Sequence, residues 1–407
     1  MGDARCKAQL LPRRRRAADG GHRRQWRPAR KAEEHRCSGR RAPRRGRSAR
    51  SGRGRQGYGG QYSRRRASHH SRHGARLPGR ACRHFRRCDH GGDETGGCRP
   101  RGGVTRMGMR QTQANGITVN FEDLGPADGR PILFVNGYTS TMMSWPAELM
   151  DGLRARGFRV IRYDNRDVGH SEKLKGMPDI RAVAAAVREG SRPDIPYTLS
   201  DMAADGIGVL DALGIARAHV MGISMGGMIV QTMAIDHPGR LLSVTSIMST
   251  TGNPDLPKAS EAAMAALQEQ PPAQDRETVI RHRMKGRRVY QSPAYPMTDE
   301  ALHARCAAEF DHMYYPEGAS RQYAAIVGDG SRVERLKAVR VPFLVIHGLA
   351  DPLVPPEGGV DTANSVPGAN LELIEGMGHD LPAELCPRFV ELIAEHALAA
   401  EKENAAE

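Results

Sequence analysis

The stretch AHVMGISMGGMIVQTMA, residues 218–234, decides the fold. An apolar run from Ala218 to Met221 reaches Gly222, a lone Ser224, then Gly226 and Gly227, after which the spacing turns helical. A buried strand that must turn sharply into a helix, while lifting one side chain clear of the sheet, is written this way. The pattern is G-x-S-x-G, and glycine stands on both flanks because a side chain there would collide with neighbouring backbone. A glycine-rich turn that merely contains a serine is the competing reading. The strand before and the helix after favour a nucleophile at Ser224.

From Met109 onward short apolar runs alternate with helical patterns. ITVNFEDLG (117–125) alternates like a strand, while PILFVNG (131–137) and FRVIRYD (158–164) are continuous apolar runs suited to buried parallel strands. SWPAELMDGLRARG (144–157) predicts a helix closed by Gly157. TLSDMAADGIGVLDALG (198–214) predicts another, capped by Thr198 or Ser200 and stopped by Gly214. LLSVTSIMS (241–249) is a further strand. Residues 252–335 break the rhythm with several helical patterns and no strand between them. Alternation resumes with VPFLVIHG (341–348), a helix near 357–365, NLELIEG (370–376) and a closing helix from Pro382 to Leu398. This order predicts an α/β fold: a mostly parallel sheet with helices on both faces and an inserted helical cap. The boundaries expected are 107–251 for the first part of the core, 252–335 for the cap and 336–407 for the rest of the core.

Residues 1–106 stand apart. They carry a net charge of +25, against −10 for residues 107–407, so the +15 of the whole chain describes neither part. This Arg/Gly-rich extension has almost no Leu, Ile or Val and reads as disordered. Nucleic-acid binding, a transit peptide and a twin-arginine signal are its functional readings; the last lacks an apolar segment. A wrongly assigned start, with translation beginning at Met107 or Met109, is the favoured reading, and nucleic acid is not favoured as a partner. Cys6, Cys37, Cys82, Cys88 and Cys98 lie in this extension and only Cys306 and Cys386 beyond it, which implies no disulfide or zinc framework and a cytoplasmic setting. No apolar run approaches the ~18 residues of a membrane span.

Ligands of such sheets bind at the carboxyl ends of the strands, so the residues there are the candidates. A serine hydroxyl needs a base. His379 follows a strand in the glycine-lined turn EGMGHDLP (375–382) and is the candidate; a plain surface histidine is the alternative. An acid must orient the imidazole. Asp351 in VIHGLADPLVP (345–355) is favoured, directly after a buried strand, with Asp255 as its rival. Two backbone donors should hold the developing oxyanion: the N–H of Met225 at the start of the helix, and the N–H of Tyr138 in Asn136-Gly137-Tyr138. Met142, Met143, Trp145, Tyr290, Tyr295, Met313, Tyr314 and Tyr315 are candidate pocket residues, with core packing as the alternative for each; Met142, Trp145 and Tyr314 lead. RHRMKGRR (281–288) reads as a solvated helix face, with attraction of an acidic substrate as the alternative.

These residues together resemble the α/β-hydrolase superfamily, over roughly residues 110–400. RYDNRDVGHS (162–171) resembles the D-x-R-x-x-G-x-S loop after its fourth strand, and HGLADPLVP with GMGH resembles its acid and histidine loops. Within it the chain is most similar to the aclacinomycin methylesterase branch. One departure stands out, since Asn136 replaces the histidine usual before the oxyanion-turn glycine. Asp164, Arg166 and Asp167 read as loop-fixing ion pairs. The resemblance implies a serine hydrolase acting on a small-molecule carboxylic ester, with no cofactor and no metal. The same triad could instead serve a cofactor-free haloperoxidase or perhydrolase, or a carbon–carbon bond hydrolase.

Overall fold

The computed structural model describes residues 108–406; the expectations for residues 1–106 lie outside them. The chain opens with a hairpin of β1 (Arg110–Ala114) and β2 (Ile117–Leu124). It continues through β3 (Arg130–Val135), α1 (Ala147–Ala155), β4 (Phe158–Tyr163), α2 (Ile180–Arg188) and α3 (Leu199–Ala212). Then come β5 (Ala218–Ile223), α4 (Met225–Asp236) and β6 (Leu241–Ile247). Five helices follow without a strand: α5 (Glu261–Gln268), α6 (Arg276–Tyr290), α7 (Asp299–His312), α8 (Gly318–Asp329) and the short α9 (Val333–Leu336). β7 (Phe343–Gly348), α10 (Glu357–Ser365), β8 (Asn370–Ile374) and α11 (Cys386–Ala406) complete the chain. The last helix starts four residues later than its sequence pattern suggests, behind a 3-10 turn at Ala383–Leu385, and runs on to Ala406.

The eight strands lie in the order β1-β2-β4-β3-β5-β6-β7-β8, and all pairs from β4 to β8 are parallel. The chain leaves β3 toward β4 on one side and returns to β5 on the other. That reversal opens a crevice between the carboxyl ends of β3 and β5, the position where such sheets bind ligands. Alternation along each strand sorts its side chains into two apolar layers. Leu133 and Val220 join α3 and α4 on one face, whereas Ile132, Phe134 and Met221 join α1 and α11 on the other.

Two elements were not expected from the sequence. β1 is polar and mostly exposed, so its composition gives no strand signal, yet Asn115 and Gly116 at φ 49° and 79° form the tight turn that pairs it with β2. α2 is capped by Asp179, whose carboxylate accepts from the Arg181 and Ala182 amides, and it packs against α8. Thr198 rather than Ser200 caps α3, in a reciprocal box with Asp201.

Burial disfavours the charged form of two histidines, His396 on α11 and His219 beneath it. His396 donates from Nε2 to the Val244 carbonyl at 3.1 Å, and burial pushes its pKa down to about 4. Burial likewise lowers that of His219, which lies beneath the same helix and contacts Glu401. A folded-state pKa below the unfolded one means that the unfolded chain takes up the extra proton. The stabilisation is complete above the unfolded value near 6.5 and is lost as pH falls toward 4. His396 alone should cost about 2 kcal/mol between pH 7 and pH 5, or about 4 °C in Tm. His396→Gln keeps a donor for Val244 and should flatten the Tm–pH slope over that interval; an unchanged slope would assign the acid lability elsewhere.

Candidate active site

Ser224 sits between β5 and α4 at φ 53° and ψ −118°, a conformation that costs an L-residue free energy. The flanking glycines make that turn possible. A Cβ on Gly222 would stand 2.1 Å from the Gly226 carbonyl oxygen, and one on Gly226 would stand 2.1 Å from that of Val135. The turn is held from β6: the Ser224 amide donates to the Ile247 carbonyl at 2.9 Å, and the Ser249 hydroxyl donates to the Ser224 carbonyl at 2.8 Å. Ser249 lies two residues past its strand and carries no sequence signal of this duty.

His379 joins the other two candidates. Its Nε2 is 3.0 Å from Ser224 Oγ, and its Nδ1 is 2.6 Å from Asp351 Oδ2. A carboxylate only accepts, so Nδ1 carries the proton and Nε2 presents its lone pair to the serine hydroxyl. Asp351 Oδ1 accepts from the amides of Leu353 and Val354, both at 2.9 Å. Burial raises the pKa of this carboxyl, but the His379 charge and hydrogen bonds from His347 and His379 outweigh it and hold it well below the usual carboxylate range. Asp255 is exposed in a turn, where its amide donates to Asn253, and does not meet His379.

The histidine loop is anchored by the end of α6. The His379 amide donates to the Tyr290 carbonyl at 2.7 Å, the Gly378 amide to Ser292 Oγ at 2.9 Å, and Asp380 accepts from the Ser292 amide at 2.9 Å. The Tyr290 ring stands edge-on to the imidazole, with centroids 6.2 Å apart.

Beyond β3, Gly137 lies against the serine; a Cβ there would be 3.4 Å from Ser224 Cβ. The amides of Tyr138 and Met225 donate to no protein acceptor among the described residues, and both residues line the cavity above Ser224. Asn136 fixes the turn from below, its side-chain amide donating to the Tyr163 carbonyl at 2.5 Å. α8 holds the turn from above. Gln322, fully buried, accepts from the Thr139 amide at 2.8 Å and donates to the Arg166 carbonyl at 2.9 Å. Sequence reading gave Gln322 no role. Burial, followed by the neighbouring Tyr323, pushes the Tyr138 hydroxyl up to about 12, so it stays protonated.

The loop after β4 contacts α7 and α8. Asp164 accepts from the Met142 and His170 amides and from Asn120, and meets His312 of α7 at 2.7 Å. Arg166 pairs with Asp205, and Asp167 with Arg321 of α8.

A cavity of about 220 Å³ contains Ser224 and His379 and is walled mainly by apolar side chains, among them Met228, Met248, Met264, Leu267 and Leu381. Tyr290 borders it. Tyr314, Tyr315 and Met313 border a wider adjoining cavity of about 720 Å³ instead, where Tyr314 stacks on Phe310. Met142 and Trp145 belong to the core: both are buried outside the two cavities, Trp145 edge-on to Phe134, because the 3-10 turn after Thr141 points them beneath the sheet edge. Met143 approaches Arg162, and Tyr295 packs on the sheet core. The 281–288 run is solvated on one side only: Arg281 and Lys285 are exposed, whereas its other side turns inward. Arg287 is tucked against buried Glu309 at 2.7 Å, and Arg283 lies 3.6 Å from the same carboxylate.

Among the described residues, no group of three or more His, Cys, Asp or Glu is placed to hold a metal ion, and no helix is long and apolar enough to cross a membrane. Cys306 and Cys386 are buried, unpaired thiols.

Ser224 in its G-x-S-x-G turn after β5, Asp351 after β7 and His379 after β8, on this strand order, are the arrangement of the α/β-hydrolase fold; the family model for the α/β hydrolase fold matches residues 130–283. Its relatives include rhodomycin D methylesterase of Streptomyces peucetius, 29% identical over 317 residues that cover 72% of this chain and 99% of that one. A putative carbamate hydrolase of Variovorax paradoxus is 27% identical, covering 65% and 90%. The meta-cleavage product hydrolase of Pseudomonas fluorescens superimposes with a TM-score of 0.57 at 21% identity, over 72% of this chain and 98% of that one.

Proposed function

We propose that the chain is a serine hydrolase that cleaves a small-molecule carboxylic ester through a covalent acyl-enzyme. The observation that carries this reading is the single imidazole of His379, hydrogen-bonded at once to Ser224 Oγ and to Asp351. Ser224 Oγ attacks the acyl carbon as its proton passes to His379 Nε2. The amides of Tyr138 and Met225 hold the oxyanion, and Asp351 stabilises the imidazolium. The intermediate collapses, His379 protonates the leaving alkoxide, and the alcohol departs. Water, deprotonated by His379, then attacks the acyl carbon and releases acid and free Ser224. Residues 252–335 serve as the cap, fixing the histidine loop through α6 and the oxyanion turn through α8. No cofactor enters any step.

Two relatives named as rhodomycin D methylesterases, at 29% and 28% identity, support an ester over the alternatives. A putative non-heme bromoperoxidase and an oxononadienedioate hydrolase, both at 25%, support acyl transfer to peroxide or carbon–carbon cleavage less strongly. p-Nitrophenyl acetate tests the acyl-enzyme on which the ester reading rests. A burst of nitrophenol stoichiometric with enzyme, and an acetyl adduct on the Ser224 peptide by mass spectrometry, are expected. Steady release with no burst and no adduct, or no release at all, would overturn the acyl-enzyme.

A further inference from the structure

The cap wall facing Ser224 carries more positive charge than its carboxylates neutralise. Glu309 of α7 is buried and takes both hydrogen bonds of Arg287 Nη2, each at 2.7 Å. Arg283 lies 3.6 Å from the same carboxylate, and Arg305 Nε lies 3.9 Å away. Three guanidiniums therefore surround one carboxylate. Asp380, the other acid of the cavity wall, is occupied by Ser292, and even fully ionised it leaves one positive charge uncancelled.

The outer face of α6 is balanced differently. Arg276, Arg281, Lys285 and Arg288 each have a carboxylate of their own, in Asp311, Glu277, Glu269 and Asp299. The surplus is confined to the inner face. Facing it from α7, Arg305 donates from Nη2 to the Ser144 carbonyl at 2.6 Å, while its buried Nε has no hydrogen-bond partner. Arg287 and Arg305 both border the cavity that holds Ser224 Oγ, and Arg287 also borders the wider cavity beside it. The rest of that wall is largely apolar, where an uncancelled charge is costly and an incoming anion is correspondingly well held.

The geometry points to an anion subsite formed by Arg287 and Arg305, which selects esters carrying a free carboxylate elsewhere in the molecule. This rests on the esterase reading, since the subsite shares the cavity of Ser224. The sequence alternative of attraction for an acidic substrate is thereby placed on two specific side chains, one of them outside the basic run.

Two matched pairs of substrates test it: methyl 4-carboxybenzoate against methyl 4-carbamoylbenzoate, and 4-acetoxybenzoate against 4-acetoxybenzamide. Members of a pair differ in charge and hardly in shape; the first pair places the carboxylate on the acyl side and the second on the alcohol side. The parent should favour the carboxylate member of at least one pair about tenfold or more in kcat/KM. Arg305→Gln should cut that preference to about threefold or less, and Arg305→Lys, which restores the charge, should recover most of it. Calorimetric binding of terephthalate against terephthalamide to the parent reads the same preference without turnover and without a variant. Equal cleavage within both pairs, or a folded Arg305→Gln variant that keeps the preference, would overturn the subsite and leave the esterase standing. Preferential binding of terephthalate with no ester cleaved would keep the subsite and remove the esterase. Equal binding with no cleavage would overturn both.

Discussion

Ser224→Ala is expected to lower kcat/KM toward a p-nitrophenyl ester by about 10⁴-fold or more, with the fold intact. In the proposed mechanism the hydroxyl is the group that bonds to the acyl carbon, and no neighbour replaces it; the oxyanion amides and the cavity would supply whatever catalysis remains. Ser224→Gly should be equally inactive but should melt higher. Ser224 holds φ 53° and ψ −118°, so its Cβ is kept in a region that costs of order 1–3 kcal/mol. Alanine keeps that Cβ and its strain, whereas glycine releases it and gives back part of the gain through a freer unfolded chain. A net gain of about 1 kcal/mol for Gly over Ala, or about 2 °C, is the expected reading in paired thermal melts. An alanine variant within tenfold of the parent would place the nucleophile elsewhere. Equal melting of the two variants would mean that the elbow stores no strain.

The strained turn also explains why so much of this fold was legible. Gly222 and Gly226 are demanded by backbone contacts of 2.1 Å, so the local sequence records the geometry directly. β3, β4 and β5 are covered on both faces, and continuous apolar runs record that too. Long-range partners leave no comparable trace. Gln322 reaches Thr139 from 183 positions away, and nothing around it in the sequence marks the contact. Arg287 looked like one charge among many because its partner, Glu309, is 22 residues further on a different helix. Met142 and Trp145 are near the turn after β3 in sequence, yet a single 3-10 turn sends them into the core; proximity along the chain does not settle direction. Asp351 and Asp255 both follow strands; what sets them apart is that β7 and β8 are neighbours, so the Ala350 amide donates to the Met377 carbonyl at 2.9 Å and brings the Asp351 loop against that of His379.

Asp351→Asn should lower kcat by about 10³–10⁴-fold although it changes one atom. The reason lies in the two amides that face Oδ1. Leu353 and Val354 both donate to it at 2.9 Å, so an asparagine must put its carbonyl oxygen there and turn its NH₂ toward His379. An NH₂ group only donates, and His379 Nδ1 can meet it only as an acceptor. The ring proton then moves to Nε2, which faces Ser224 Oγ across 3.0 Å and can no longer accept the hydroxyl proton. His347 offers no rescue: its Nε2 proton is shared between the Val354 carbonyl at 2.9 Å and the Asp351 carboxylate at 3.5 Å, and it too would face the NH₂ as a donor. The variant also loses the charge that stabilises the imidazolium formed on attack. In the parent that charge persists on acidification, because His379 and the hydrogen bonds from His347 and His379 outweigh burial and keep the Asp351 carboxyl ionised well below the usual carboxylate range. No acid limb of kcat/KM should therefore trace to this carboxyl at working pH. Nitrogen NMR of the imidazole reads the tautomer directly, with the protonated nitrogen expected to switch from Nδ1 to Nε2 on substitution. A variant that retains the Nδ1 proton, or that works within about tenfold of the parent, would show that Asp351 packs beside the histidine without setting its state.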